Sequence, residues 1–223
     1  MVRLIEIFHW MFEDERWRYK IFFQGLLLLV PVAGLVALLG WMTVTCENLL
    51  AGRQDLARAG LHLRRGVPPL AMGVIYWIGL GIPYSLLRYL DGLWPGQLAL
   101  GAVAQVYNDL ALLLYALLIV PVFAASTRGG FGAGLDLARL ATSIMARPLR
   151  TVVAGAVVLI ALVIGVLGFT VIVAAPFTIT YAASVVAGIA AWWVVPGPAA
   201  GGDRAGPGRT ADGRPVPFRP PGA

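Results

Sequence analysis

Residues 151–195 read TVVAGAVVLIALVIGVLGFTVIVAAPFTITYAASVVAGIAAWWVV, a stretch of 45 residues without a charged side chain. As one helix it would be about 67 Å long, roughly twice the hydrocarbon core of a bilayer. The stretch must therefore fold back on itself. Gly165 and Gly168 suit a tight turn near its middle, which predicts two membrane spans, 149–167 and 170–195.

The composition of the whole chain agrees with a membrane protein. Of its 223 residues, 59% are hydrophobic and 13% are charged, and mean hydropathy is +0.82. A soluble domain carries about 25% charged residues, so an ordinary soluble globule is excluded. Cys46 is the single cysteine, and His9 and His62 lie far apart. We therefore expect no disulfide, no metal site and no cofactor.

Further apolar blocks predict an all-α, polytopic bundle of about six spans. The first block has two interpretations: one tilted helix over 21–45, or a hairpin that is broken at Pro31–Gly34. We favour the hairpin. The predicted spans are 14–30, 33–50, 67–90, 109–127, 149–167 and 170–195.

The distribution of basic residues predicts the orientation. Four clusters, each with four basic residues, lie between or beside the spans and hold 16 of the 17 basic residues. Loops that are rich in Lys and Arg stay in the cytoplasm. Six spans with both termini inside place all four clusters in the cytoplasm, whereas five spans place 12 residues there. We therefore expect a multi-pass protein of the cell membrane with both termini cytoplasmic.

Segments outside the spans have their own patterns. Residues 1–13 are amphipathic and predict an interfacial helix, and 53–65 and 131–147 predict two cytoplasmic amphipathic helices. Residues 196–223 are half Pro and Gly, which predicts a disordered cytoplasmic tail. The net charge of +6 on so hydrophobic a chain favours anionic lipid headgroups as partners over nucleic acid.

One short sequence occurs twice. Asp55-Leu56-Ala57-Arg58 recurs 81 residues later as Asp136-Leu137-Ala138-Arg139. The same offset superimposes the spans on either side, so each copy would consist of a span, an amphipathic segment and a span. This arrangement predicts an internal parallel repeat with a pseudo-twofold axis along the membrane normal.

Several short motifs resemble a known family. Phe12-Glu13-Asp14-Glu15-Arg16-Trp17 precedes the apolar run with Val30-Pro31-Val32-Ala33-Gly34, and Ala175-Pro176-Phe177 precedes Tyr181. This arrangement resembles a prokaryotic multi-pass membrane family that is known as a domain of unknown function (four-zero-one-three type). The resemblance covers residues 12–194, and it implies the architecture without a mechanism.

Four polar residues are candidates for a function. Asp109, with Asn108 and Gln105 near its face, would lie in the bilayer if its span began at Leu98, and intramembrane carboxylates commonly mark ion paths. If the span began at 109–111, Asp109 would instead cap the helix at the outer surface, which is the interpretation we favour. Glu47 ends the second span, where it is either a solvated helix end or the mouth of a polar cavity.

The remaining candidates bind lipid. Six arginines on or just after the two amphipathic segments are expected to contact anionic headgroups: Arg58, Arg64, Arg65, Arg139, Arg147 and Arg150. We find no catalytic pattern, so we predict that the protein is not an enzyme. The leading hypothesis is an accessory or scaffolding protein that organises lipid, a membrane protein partner or copies of itself. The alternative is a small transporter or channel with a site between the repeats.

Overall fold

A computed structural model describes residues 6–94, 98–168 and 174–195, and the regular structure of these residues is entirely helical. A 3₁₀ turn, Trp10–Glu13, follows the first helix. The helices are α1 (Glu6–His9), α2 (Trp17–Leu27), α3 (Pro31–Leu50), α4 (Leu63–Leu93), α5 (Leu98–Leu135), α6 (Leu137–Met145), α7 (Pro148–Leu167) and α8 (Ala175–Val194).

Five of these helices are long and apolar enough to cross a membrane: α3, α4, α5, α7 and α8. The predicted all-helical architecture is thus confirmed, and five such helices are compatible with a multi-pass membrane protein. The helical structure is interrupted between Leu27 and Pro31, as the hairpin interpretation predicts. The arm before the break, α2, has 11 residues and is about 16 Å long, roughly half the thickness of the hydrocarbon core. The number of spans therefore stays a prediction.

Helix α8 is the centre of the bundle. It contacts α2, α3, α5 and α7, and most of its side chains are buried. Small side chains let neighbouring helices approach closely, which is the usual way that membrane helices pack. The small buried residues of α8 are Ala175, Ala182, Ala183, Ser184, Ala187, Gly188, Ala190 and Ala191.

Helices α3 and α4 touch through glycines. Gly40 and Gly66 face each other so closely that a Cβ on Gly66 would overlap the carbonyl oxygen of Val36. A Cβ on Gly40 would likewise overlap the carbonyl oxygen of His62. The glycines thus set the contact between these two helices.

Helices α3 and α8 run in the same direction. Gly25, near the end of α2, abuts Pro176 at the start of α8, and Phe22 stacks on Phe177 with ring centroids 5.2 Å apart. Because α3 begins four residues after α2 ends, α3 and α8 start at one end of the bundle and finish at the other. We call the end where they finish, at Leu50 and Val194, the charged end.

Helices α4 and α5 form a long hairpin. The hydroxyl of Tyr107 donates to the carbonyl oxygen of Leu80 across 3.0 Å, and Gly101 packs against the carboxylate of Asp91. The helix that contains the predicted fourth span, 109–127, is longer than that span: α5 begins at Leu98 because apolar, helix-forming residues continue through Ala104. A kink at Gly130, with φ 68°, separates the last residues of α5 from its main part.

The two predicted amphipathic helices have different outcomes. Within 131–147, α6 is a helix that Asp136 caps through a 2.9 Å hydrogen bond from the backbone N–H of Arg139. The helix predicted at 53–65 is wrong, because residues 53–58 are non-helical and α4 begins at Leu63. The two copies of the repeated tetrapeptide therefore have different backbone conformations, and the internal repeat stays a prediction.

Candidate functional site

Residues 55–60, which we call the clamped segment, are held by side chains of other elements. Four hydrogen bonds bind the backbone of Leu56 and Ala57. They join Leu56 N to Asp14 Oδ2 (3.0 Å), Lys20 Nζ to Leu56 O (2.7 Å), Ala57 N to Thr45 Oγ1 (3.1 Å) and Trp41 Nε1 to Ala57 O (3.0 Å).

These bonds explain why the predicted helix does not form. A buried backbone N–H or C=O must have a hydrogen-bond partner, and a helix would supply that partner within the segment. Here side chains supply it, while Leu56 and Ala57 are each only 1% exposed. Burial of these two residues and four tertiary hydrogen bonds thus outweigh the amphipathic pattern.

An ion pair anchors one side of the clamped segment. Lys20 Nζ lies 2.6 Å from Asp14 Oδ2, and the backbone N–H of Arg16 donates to Asp14 Oδ1 across 2.9 Å. Burial by itself raises the pKa of the Asp14 carboxyl. The hydrogen bonds from Lys20, Arg16 and Leu56 and the charge of Lys20 lower the pKa by more than burial raises it. The net pKa lies below the usual value. Asp14 is therefore ionised at neutral pH although it is buried.

A second polar side chain lies beside the segment. Gln24 is fully buried, and its Oε1 accepts a 3.4 Å hydrogen bond from the backbone N–H of Gly60. Its Nε2 has no partner among the described residues. Gln24 therefore adds a buried polar group beside the clamped segment.

The clamped segment reaches far along α3. Trp41 and Thr45, which bind it, lie at the middle of α3 and one turn beyond. Trp41 is thus about 15 Å from either end of the helix. Non-helical backbone at membrane depth is tolerated where protein buries it or where it lines a cavity. Here both conditions hold.

A polar cavity of about 760 Å³, the charged cavity, opens beside the clamped segment. Its wall carries four acidic and four basic side chains, and among them only Asp14 and Lys20 form an ion pair with each other. The remaining charges can therefore meet a polar ligand or solvent. The lining residues are Glu13, Asp14, Glu15, Arg16, Lys20, Val44, Asn48, Arg53, Asp55, Leu56, Ala57, Arg58 and His62.

An apolar groove of about 330 Å³ lies between α3, α4 and α5. Leu35, Leu39 and Met42 of α3 form one wall, and α4 and α5 form the others. The charged cavity and this groove share no lining residue. Within the described residues, no group of three or more His, Cys, Asp and Glu side chains could hold a metal ion.

The structure brings two of the four predicted polar candidates together. Gln105 Nε2 donates to Asp109 Oδ1 across 3.0 Å on the exposed face of α5, whereas Asn108 is half-buried. The prediction that Asp109 caps a helix is wrong, because Asp109 lies eleven residues inside α5. Glu47 forms an ion pair with Arg65, which ties the end of α3 to the start of α4, and it does not line the charged cavity.

The six predicted lipid-contacting arginines fall into two groups. Arg58, Arg64, Arg65 and Arg139 are exposed. Arg147 instead donates to the carbonyl oxygens of Trp193 (2.7 Å) and Val194 (3.0 Å), and Arg150 donates to that of Val195. These two guanidinium groups bind the unpaired carbonyls at the end of α8, where a positive charge also complements the helix dipole.

Sequence reasoning missed the residues that bind the clamped segment. In the sequence, Asp14 and Lys20 lie at the charged start of a predicted span, and Trp41 and Thr45 lie within the next predicted span. The usable signal was their polarity: Gln24, Trp41 and Thr45 interrupt apolar runs and need partners if buried.

Comparisons with protein-family models, with curated proteins and with solved structures find no match. The family resemblance of the sequence stays a prediction, and function must be argued from the geometry.

Proposed function

We propose that this chain is an accessory membrane protein that binds anionic lipid headgroups at its charged end. This end would face the cytoplasm, because the basic clusters of the sequence adjoin it and such clusters stay inside. The protein would act by organising lipid around itself, without catalysis.

The observation that supports the proposal is the surface around α6. Leu137, Met145 and Leu149 are 65%, 79% and 76% exposed, and Arg139, on the same helix as Leu137 and Met145, is also exposed. Leu140, also on α6, is buried against Met72 and Val122, which fixes the helix to the bundle. Exposed apolar side chains beside arginine are typical of a helix in the plane of the headgroups.

The interior of the bundle favours an accessory role over transport. The buried hydroxyls of α8 bind backbone carbonyls of their own helix: Thr180 donates to Pro176 (2.8 Å) and Ser184 to Tyr181 (2.7 Å). Their donors are therefore not available to a substrate. The hydrophobic core around them is formed mainly by Ala, Val, Ile, Leu, Met, Phe and Trp side chains.

The lipid proposal can be tested with a probe on α6. A bimane fluorophore on Met145→Cys, in a Cys46→Ala background, should be quenched more by brominated phosphatidylglycerol than by brominated phosphatidylcholine. Arg139→Gln should reduce this preference by about 1 kcal/mol, which is roughly fivefold. Arg88→Gln, next to Asp91 on the α4–α5 hairpin, is the control and should leave it unchanged. Equal quenching by both lipids in the parent protein would contradict the proposal.

The charged cavity favours a second candidate, a small transporter or channel. Non-helical backbone that lines a polar cavity beside spanning helices is typical of such sites. Asp55 and Arg58 line the cavity without an ion-pair partner among the described residues. In proteoliposomes with ion gradients, Asp55→Asn and Arg58→Gln should then change a measurable flux, while Asp91→Asn should not. Absence of any flux in the parent protein would leave the accessory role as the better proposal.

A further inference from the structure

The exposed face of α5 carries a polar pair in an apolar surface. Gln105 and Asp109 are hydrogen-bonded to each other at 3.0 Å. Ala102, Val106 and Leu113 continue the same face at helical spacing, and all five residues are exposed. We call these five residues the α5 stripe. The described part of the chain leaves the stripe uncovered.

The length of α5 makes this exposure unfavourable wherever the membrane lies. Residues 99–127 contain Asp109 as their single charge and extend about 43 Å, against a hydrocarbon core of about 30 Å. If all of α5 is immersed, the Asp109 carboxylate lies in lipid, where such groups are expensive. If Asp109 lies at the surface, about ten residues of α5, most of them apolar, and the matching part of α4 protrude into water.

If Asp109 lies at the surface, the part of the hairpin that protrudes from the membrane exposes large apolar side chains to water. Val103 and Val106 of α5 are 52% and 58% exposed, and Ile82 and Leu86 of α4 are 61% and 56% exposed. Apolar surface of this extent on a soluble part of a protein commonly marks an interaction site. In either case a protein partner on the α5 stripe would reduce the unfavourable exposure of α5.

The hydrogen-bonding groups of the stripe identify the partner. The Gln105 amide has a second N–H, and the Asp109 carboxylate has a second oxygen without a partner among the described residues. Around a twofold axis, the free N–H of each Gln105 can donate to the Asp109 carboxylate of the other copy. We propose that the α5 stripe is the interface of a twofold homodimer of this chain.

The geometry is the one that membrane interfaces use. A twofold interface requires a surface that is complementary to itself, and a donor and an acceptor one helical turn apart provide this. Lipid gives no hydrophobic driving force between helices, so polar contacts and close packing decide association. Ala102, a small residue on the same stripe, permits the helices to approach.

Substitutions at Asp109 test the interface. Asp109→Asn keeps a hydrogen-bond acceptor and should retain the dimer, whereas Asp109→Leu and Gln105→Leu should each raise the dissociation constant in liposomes roughly tenfold. The measurement is dilution of fluorescently labelled full-length protein in neutral bilayers, followed by single-molecule photobleaching. Because both side chains are exposed, the variants should keep the thermal unfolding midpoint of the parent in detergent.

Cross-linking tests the position of the interface independently. In a Cys46→Ala background, Val106→Cys should cross-link efficiently with a short bifunctional reagent. Val163→Cys, on α7 and also 58% exposed, is the matched control and should not. A parent protein that stays monomeric at high protein-to-lipid ratio, equal cross-linking at both positions, or an unchanged dissociation constant in both Leu variants would overturn the proposal.

Discussion

The indole N–H of Trp41 donates to the carbonyl oxygen of Ala57 across 3.0 Å, and both groups are buried. This bond fastens a non-helical segment to the middle of a helix that is long enough to span a membrane. The carbonyl would otherwise lack a partner, because the segment forms no helix. Tryptophan suits the position since it combines a large apolar ring with one hydrogen-bond donor.

Replacing Trp41 with Phe should destabilise the fold measurably. The ring is kept approximately, but the buried carbonyl of Ala57 loses its donor, which costs about 1–3 kcal/mol. The free energy of unfolding, measured by titration with denaturing detergent in mixed micelles, checks this. Trp77→Phe is the matched control, because Trp77 is 69% exposed. A similar small effect of both substitutions would argue against the bond.

Adding a methyl group at Gly66 should disrupt the contact of α3 with α4. Its Cβ would overlap the carbonyl oxygen of Val36, and overpacking of this kind costs about 1–3 kcal/mol. Gly79→Ala, in the same helix, is the matched control because nothing lies within 4 Å of its Cβ. That variant should be neutral or slightly stabilised, since alanine favours a helix by about 1 kcal/mol over glycine. Equal stabilities would contradict the close packing.

Hydropathy and helix-breaking residues predicted the parts of the fold that depend on local sequence. The break before Pro31, the helix around Leu140 and the long apolar helices all follow from patterns within a few residues of each position. The start of α5 at Leu98 was not predicted. Asp109 interrupts the apolar run in the sequence, but the helix continues through it.

The charged cavity could not be predicted because it depends on contacts between distant residues. The carboxylate of Asp14 meets the backbone of Leu56 across 42 positions of sequence, and nothing near Leu56 signals that contact. Its neighbours instead form an amphipathic pattern, identical at four positions to one that does become a helix. The two copies differ because Asp14 and side chains of α2 and α3 bind the backbone of the first copy.

The Asp14 ion pair should make stability depend on pH. Because the folded-state pKa of Asp14 lies below its usual value, its contribution is fully present above the ordinary carboxyl pKa of about 3.9. It is lost as pH falls through the lowered pKa. Asp14→Asn should destabilise by about 3 kcal/mol at pH 7, since it leaves Lys20 without its counter-ion. The difference from the parent protein should shrink below pH 4.

The control for this experiment is Asp55→Asn. Asp55 lines the same cavity, but its carboxylate is exposed and forms no ion pair among the described residues. Its substitution should leave the free energy of unfolding within about 0.5 kcal/mol of the parent at every pH. If both variants lose the same stability, the effect reflects the net charge of the cavity and not the Asp14–Lys20 pair.

The contact between Asp14 and Leu56 also predicts which residues share a side of the membrane. Glu13 and Arg53 are both exposed and line the same cavity. Single cysteines at these two positions should therefore react with an impermeant maleimide from the same side, which we expect to be the cytoplasm. Trp94→Cys, beyond the far end of α4 and 54% exposed, should react from the opposite side, because α4 is about 46 Å long.

Native Cys46 provides the internal control for the labelling, because it is fully buried and should stay unreactive in intact membranes. The experiment distinguishes two arrangements of the first helices. If α2 and α3 form a hairpin that enters and leaves on one side, Glu13→Cys and Arg53→Cys react together. Reaction of Glu13→Cys from outside and Arg53→Cys from inside would mean that the chain crosses the membrane once between them. Such a result would contradict the hydrogen bonds that join Asp14 and Lys20 to the clamped segment.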